Sequence, residues 1–376
     1  MNFEFSDEQK FIKETAQNFL ADKCSSTEVR KILDGDDPYH AELWAAVAEM
    51  GWMGTVIPEE YDGLGLGYLE LCVIAEELGR AVAPIPFSST VYLFTEAILT
   101  AGSEDQKKKY LPKVAAGELI GALAMSEGAG AVTPKSISTS VSGGKISGTK
   151  VPVVDGDVAD FVVVTAKTGA GNDEGSISTF IVDMKGDGIT VETVSTIDPT
   201  RSHATITFDG ADAEPLGDTG EGWHIIDRVF DRAAVLFSFE QMGGSQAALD
   251  MAKAYAMDRY AFGRPIASFQ AIKHKLADMY VATELARSNC YYGAWALSTD
   301  APELGVAAAT ARVSASEAYA HTSKENIQTH GGMGFTWEFD CHLHYRRSKV
   351  LGLTIGSLPR WKDRLIDRLE ARNVAA

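Results

Sequence analysis

Apolar residues recur at helical spacing along the first third of the chain, give way to short β-branched runs in the middle, and return to helical spacing towards the end. Ser6-Asp7-Glu8-Gln9 has the S-x-x-Q form of a capping box, in which serine and glutamine side chains satisfy the free N–H groups of a first turn. Phe11, Ile12, Phe19 and Leu20 follow it, so a helix is predicted to begin there. Ser103-Glu104-Asp105-Gln106 repeats the device ahead of Leu111, and helical patterns cover 40–51 and 68–80 with the turn-rich Pro58 to Gly67 between them. Residues 1–118 are predicted to form an N-terminal α-helical domain.

From about 119 the period shortens. Val158 to Thr165, Ile177 to Asp183, Ile189 to Val194 and His203 to Phe208 read as strands bounded by Gly, Asp and Asn. The glycines between Gly169 and Gly175 are expected to form a hairpin loop, because no helix follows to turn them into a phosphate cradle. After Gly222 the helical period resumes over 223–258, 266–297, 301–330 and 360–371, with Pro265 and Pro302 at predicted helix starts. The fold class is therefore α+β: helices over 1–118, a β-barrel-like domain over 119–222, and a C-terminal four-helix bundle over 223–376.

A chain of 376 residues exceeds what one hydrophobic core usually holds and is long enough for two or three domains. No apolar run approaches the roughly 18 to 20 residues of a membrane span. The net charge of −18 disfavours nucleic acid, whose phosphates demand clustered Lys and Arg. Cys24, Cys72, Cys290 and Cys341 form no CxxC pair, and Cys341-His342-Leu343-His344 lacks a second ligand group, so neither disulfides nor a metal site are expected. The start, Met1 to Gln9, has neither the apolar region of a secretory signal nor the Arg-rich character of a transit peptide, and a cytoplasmic location is expected.

Two C-terminal segments carry a resemblance. Asp258-Arg259-Tyr260-Ala261-Phe262-Gly263-Arg264-Pro265-Ile266, continuing to Phe269-Gln270, and Gln328-Thr329-His330-Gly331-Gly332-Met333-Gly334-Phe335 resemble the R-x-x-F-G and Q-x-x-G-G segments of acyl-CoA dehydrogenases. In that family these segments of one subunit embrace the ADP half of an FAD bound mainly by its neighbour. The resemblance makes Arg259, Phe262, Gln270, Gln328, Gly331 and Gly332 candidate ADP contacts. An arginine fork matches pyrophosphate oxygens, and glycines let backbone N–H groups approach closely. Ala124-Met125-Ser126-Glu127-Gly128-Ala129-Gly130-Ala131 is similar to the family's T-E-P-x-A-G-S segment, with Ser126 in place of the threonine that meets the flavin. The resemblance implies FAD as cofactor, an acyl-CoA thioester of fatty or steroid type as substrate, an electron-transfer flavoprotein as acceptor, and a homodimer, tetramer or heteromer with a paralogous subunit.

The chain also departs from the family pattern. In Lys150-Val151-Pro152-Val153-Val154-Asp155, Pro152 replaces an aromatic that packs on the flavin and Val154 a hydroxyl that meets its N5 edge. Oxidation of an acyl thioester needs a carboxylate for the α proton. Ile355 stands where many relatives place it, in Lys349-Val350-Leu351-Gly352-Leu353-Thr354-Ile355-Gly356, and Ala233 stands at the alternative position. Glu240, two turns beyond Ala233 and surrounded by Val235, Leu236, Phe237, Phe239 and Met242, is the candidate base, since burial among apolar groups raises a carboxyl's proton affinity. The competing reading pairs a buried Glu240 with an Arg or Lys of a neighbouring helix. Three functions are in view: a complete dehydrogenase, a subunit that completes the FAD site of a paralogous partner, and a non-catalytic binding protein on the same fold.

Overall fold

The computed structural model describes residues 6–375, so Met1 to Phe5, on which part of the expectation about the start rests, lie outside it. The first six α-helices are α1 (Asp7–Lys23), α2 (Ser26–Asp34), α3 (Ala41–Glu49), α4 (Tyr68–Arg80), α5 (Glu96–Ala101) and α6 (Glu104–Ala115). Eight strands follow: β1 (Gly121–Ala124), β2 (Ser140–Ser142), β3 (Lys145–Val154), β4 (Phe161–Lys167), β5 (Ile177–Asp183), β6 (Ile189–Thr193), β7 (His203–Asp212) and β8 (Glu214–Leu216). The chain ends with α7 (Gly222–Asp258), the two-stranded ribbon β9 (Tyr260–Ala261) and β10 (Arg264–Pro265), α8 (Gln270–Ser298), α9 (Leu304–His330), α10 (Cys341–Leu351) and α11 (Leu358–Ala375). These elements pack as two compact units. One comprises the chain through Lys31, Tyr68–Ala83 and everything from Ala234; the other comprises Ile32–Gly67 and Pro84–Ala233.

In the second unit the sheet runs β6-β7-β3-β2-β4-β5-β8, with β1 parallel to β4. Val153, Val162, Val164, Phe180, Ile206 and Phe208 fill its core. The four predicted strands are present, and the 169–175 stretch joins antiparallel β4 and β5 as expected. Strands β1, β2, β3 and β8 were not predicted. β1 is Gly-Ala-Leu-Ala, buried throughout, so it has no alternation to read. β3 is broken in sequence by Gly148 and Pro152. Its pairing with β7 slips between Lys150, opposite Ile206, and Val153, opposite Ala204, so Val151 and Pro152 together face Thr205. That bulge accommodates a proline with no N–H to donate.

Both capping boxes form as predicted. The Ser6 hydroxyl accepts from Gln9 N–H at 3.2 Å while Gln9 Oε1 accepts from Ser6 N–H at 2.9 Å, and Ser103 with Gln106 repeats the arrangement at 3.2 and 3.0 Å. Ahead of α5 lies a π-helical stretch, Ser88–Thr95, whose wider turn is closed in part by the Thr95 hydroxyl donating to the Thr90 carbonyl at 2.8 Å.

The first unit is helical. α4 and α7 cross with backbones in contact: a Cβ on Gly79 would lie 1.8 Å from the Glu240 carbonyl oxygen, and one on Gly243 would lie 1.8 Å from that of Glu76. Glycine is required at both positions. Residues 299–303 are too few to carry the chain back along a helix, so α8 and α9 form an antiparallel hairpin that places Gln270 and Gln328 at the same end. A Lys275–Glu325 ion pair joins the two helices there. α8 begins four residues later than predicted, because Pro265 closes the β9–β10 ribbon and Ile266–Ser268 wind as a 3-10 turn. α10 was not predicted: its buried face carries His344, Arg347 and Ser348 beside Leu343 and Val350, which conceals the period.

Candidate functional site

The ring of Tyr255, near the end of α7, stacks on that of His330 at the end of α9, with centroids 4.1 Å apart. Burial pulls the pKa of His330 down, against the hydrogen bond its Nδ1 makes to the Asn326 carbonyl at 2.9 Å, so the ring is held neutral with its proton on Nδ1. This contact brings the Arg259 and Gly331 segments to one end of the bundle, where the start of α8 also lies. Arg259, Phe262, Gln270, Gln328, Gly331 and Gly332 are all exposed there.

The local backbone explains their presentation. Tyr260 pairs with Pro265 and Ala261 with Arg264, leaving Phe262 and Gly263 as a two-residue turn with φ of 54° and 79°. Positive φ at both central residues is the type I′ form that suits a twisted ribbon. Glycine adopts it freely, whereas a phenylalanine does so against about 1–2 kcal/mol of steric cost. Its ring, 94% exposed, leans edge-on against Phe269 at 6.2 Å, and the Arg264 guanidinium covers the other aromatic ring at 4.1 Å from its centroid. Gly331 ends α9 with φ of 63°, and a Cβ on Gly332 would meet nothing within 4 Å. Nothing in the fold itself demands a glycine at 332; open space over a bare backbone fits a ligand that must come close. These residues fit the adenine and pyrophosphate half of a dinucleotide.

Glu240 lies elsewhere. It is fifteen residues before Tyr255 on α7, about 22 Å along the helix at 1.5 Å per residue. Its carboxylate is buried, with Oε1 3.7 Å from Nη1 of a fully buried Arg347 on α10. Arg347 also donates to the carbonyls of Ala83 and Val82, both at 3.3 Å. Arg312 of α9 lies close as well: burial pulls its pKa down while the Glu240 charge opposes this. It donates to Gln241 Oε1 at 2.7 Å and to the Leu351 carbonyl. Ile355 and Ala233, at the two positions where the resemblance leads one to expect the base, are buried.

In the second unit Ser126 follows β1, half-buried, with its hydroxyl donating to the Gly128 carbonyl at 3.1 Å. Gly128 and Gly130 have φ of 140° and 108° with open space beside them, so the backbone of this turn is bare. Pro152 is exposed and Val154 half-buried on the neighbouring strand. The ion pair of Lys150 with Glu127, 2.8 Å apart, was not singled out from sequence, although both residues lie within segments that were. Burial would raise the Glu127 pKa, but the Lys150 charge and hydrogen bonds from Lys150 and Ser138 hold it at about 2.

Cys341 is buried, His342 stacks on Trp337 and His344 meets the Tyr319 hydroxyl at 3.1 Å; among the described residues no cluster of His, Cys, Asp or Glu could hold a metal. No described helix is long and apolar enough to cross a membrane.

Comparison with known proteins gives a consistent result. Residues 6–118 match the N-terminal domain of acyl-CoA dehydrogenases and residues 220–359 match their C-terminal domain. The acyl-CoA dehydrogenase IpdE2 of Mycobacterium tuberculosis is 33% identical over 91% of both chains. The mitochondrial isovaleryl-CoA dehydrogenase of Solanum tuberosum is 30% identical, covering 94% of this chain and 88% of its own. The solved butyryl-CoA dehydrogenase of Megasphaera elsdenii superposes with a TM-score of 0.91 at 26% identity, covering 98% of this chain and 100% of its own. With the helical, β-sheet and helical segments in the same order, the chain belongs to the acyl-CoA dehydrogenase family of oxidoreductases.

Proposed function

We propose that the protein oxidises an acyl-CoA thioester to the 2-enoyl-CoA with FAD, and that its Arg259–Gln270 and Gln328–Gly332 segments close over the ADP half of the FAD of a second subunit. The observation that carries this reading is the end of the bundle itself, where Arg259, the strained Phe262 turn, Gln270 and the bare backbone at Gly332 are gathered and exposed. When bound, FAD supplies the acceptor for the β hydrogen. Arg259 offers a fork to pyrophosphate oxygens, and Gly331 and Gly332 let main-chain N–H groups reach them. Ser126 and the open turn after it offer a hydroxyl and bare amides to the flavin end. Glu240 is the carboxylate assigned to the α proton. An electron-transfer flavoprotein serves as acceptor, and the working form is a homodimer or dimer of dimers in the cytoplasm.

A second reading is favoured by one set of observations: Ile355 and Ala233 are apolar, Pro152 and Val154 replace flavin-facing groups, and Glu240 is already paired with Arg347. In it the chain completes the FAD site of a paralogous subunit that brings its own base.

An absorption spectrum of the protein purified alone, followed by bleaching with a panel of acyl-CoAs, tests both. A yellow protein bleached by at least one thioester is expected. A protein that is colourless alone and yellow only beside a paralogue supports the second reading, and one that is colourless in both settings removes the flavin. Gly332→Ala sharpens the test. Its methyl group has room in the fold, so the melting temperature should be unchanged, while FAD should dissociate about tenfold more readily, a loss of roughly 1.4 kcal/mol. Unaltered FAD affinity would place the cofactor away from Gly332.

A further inference from the structure

The reaction proposed above makes no use of Lys150, a fully buried lysine on β3. Its ammonium group donates to Glu127 Oε1 at 2.8 Å, to the Met125 carbonyl at 3.2 Å and to Thr165 Oγ1 at 3.3 Å. Glu127 is engaged on its other side, where it accepts from Ser138 N–H at 2.7 Å, from the Ser138 hydroxyl and from Thr139 N–H at 3.0 Å. The Ser126 carbonyl accepts from Val151 N–H at 2.9 Å, and Glu127 makes a parallel bridge with Val151. One ion pair thus ties down both ends of the loop from Gly128 to Ile137, within which a Cβ on Gly128 or Gly130 would meet nothing within 4 Å.

We infer that Lys150 and Glu127 are positioning residues, a clasp that fixes the Ser126–Ala131 turn in the shape that receives FAD. The inference rests on the reading above that this turn meets the cofactor. The energetic argument concerns what the pair supplies. Desolvating two charges is costly, and well-packed apolar side chains often give equal or greater stability at such positions. An ammonium group and a carboxylate supply something apolar groups do not: bonds in several fixed directions, which here converge on the two stems of one glycine-rich loop. Lys150 touches no reacting atom in this scheme; it acts through the turn.

The test compares wild type with Lys150→Met and with the double variant Lys150→Met/Glu127→Gln, which leaves no unpaired buried charge. FAD affinity, melting temperature and the rate of tryptic cleavage after the exposed Lys135 are measured on each. Lys150→Met should bind FAD at least tenfold more weakly and be cut at Lys135 at least tenfold faster. The double variant should regain melting temperature but neither FAD affinity nor protection of Lys135. Recovery of all three in the double variant would reduce the pair to charge balance and overturn the inference, as would wild-type cleavage of Lys150→Met. Should Lys150→Met fail to fold, Glu127→Gln, which preserves side-chain volume, carries the same expectations. If wild type binds no FAD either alone or beside a paralogue, the flavin reading fails, and the cleavage rates still decide whether the clasp exists.

Discussion

Gly79→Ala is expected to lower the melting temperature by roughly 6–12 °C, the effect of about 3 kcal/mol in a domain of this size. The added methyl carbon would lie 1.8 Å from the Glu240 carbonyl oxygen and 2.5 Å from its carbonyl carbon, both backbone atoms that no rotamer change can move aside. Relief requires separating α4 from α7 by more than an ångström. That in turn presses Gly243 away from Glu76 and opens the whole crossing, losing dispersion contacts on both helices. The damage should not stay local. Val82 and Ala83, just past the end of α4, hold the guanidinium of Arg347, which in turn faces Glu240. Thermal unfolding followed by circular dichroism gives the answer, with Gly332→Ala as the control in which a methyl group meets empty space. A wild-type melting temperature for Gly79→Ala would mean the two helices do not approach as described.

What could be read from sequence, and what could not, follows from the range of the interactions involved. Tyr68–Arg80 and Ile177–Asp183 fall on the predicted spans because their signals, helical spacing in one case and a β-branched run in the other, lie within the segment itself. β3 is hidden in the sequence because its fully buried position 150 is a lysine and its bulge holds a proline, so neither alternation nor propensity points to a strand. α10 is hidden because a buried arginine and histidine face inward, and such residues look like surface until their partners are known. The residues proposed to meet the ADP half are legible for the opposite reason: the Arg259–Gln270 and Gln328–Gly332 runs are continuous in sequence, and only their convergence needed the α8–α9 hairpin and the Tyr255–His330 stack. Lys150 with Glu127 and Glu240 with Arg347 are pairs between distant segments. Sequence could say that a buried Glu240 wants a cation, but not which of the chain's arginines provides it.

Glu240→Gln separates the two readings of that carboxylate. If Glu240 removes the α proton, the variant keeps its shape and its flavin but bleaches with acyl-CoA about 10²- to 10⁴-fold more slowly, since a carboxamide cannot accept the proton. The substitution also removes the Glu240 charge from its ion pair with Arg347. Breaking a buried pair costs about 3–5 kcal/mol when the remaining charge has no other partner. Arg347 keeps two carbonyl acceptors, so a smaller loss, roughly 2 kcal/mol, is expected here. Stability therefore falls under either reading, and the bleaching rate of the folded protein carries the decision. Arg347→Met provides the complement: it removes the same ion pair while leaving the carboxylate in place, so under the base reading its folded fraction should bleach within about tenfold of wild type, far above Glu240→Gln. Wild-type bleaching by Glu240→Gln would leave Glu240 as the counter-ion of Arg347. With Ile355 and Ala233 apolar, the α proton would then be taken by a carboxylate other than Glu240 and at neither of those two positions.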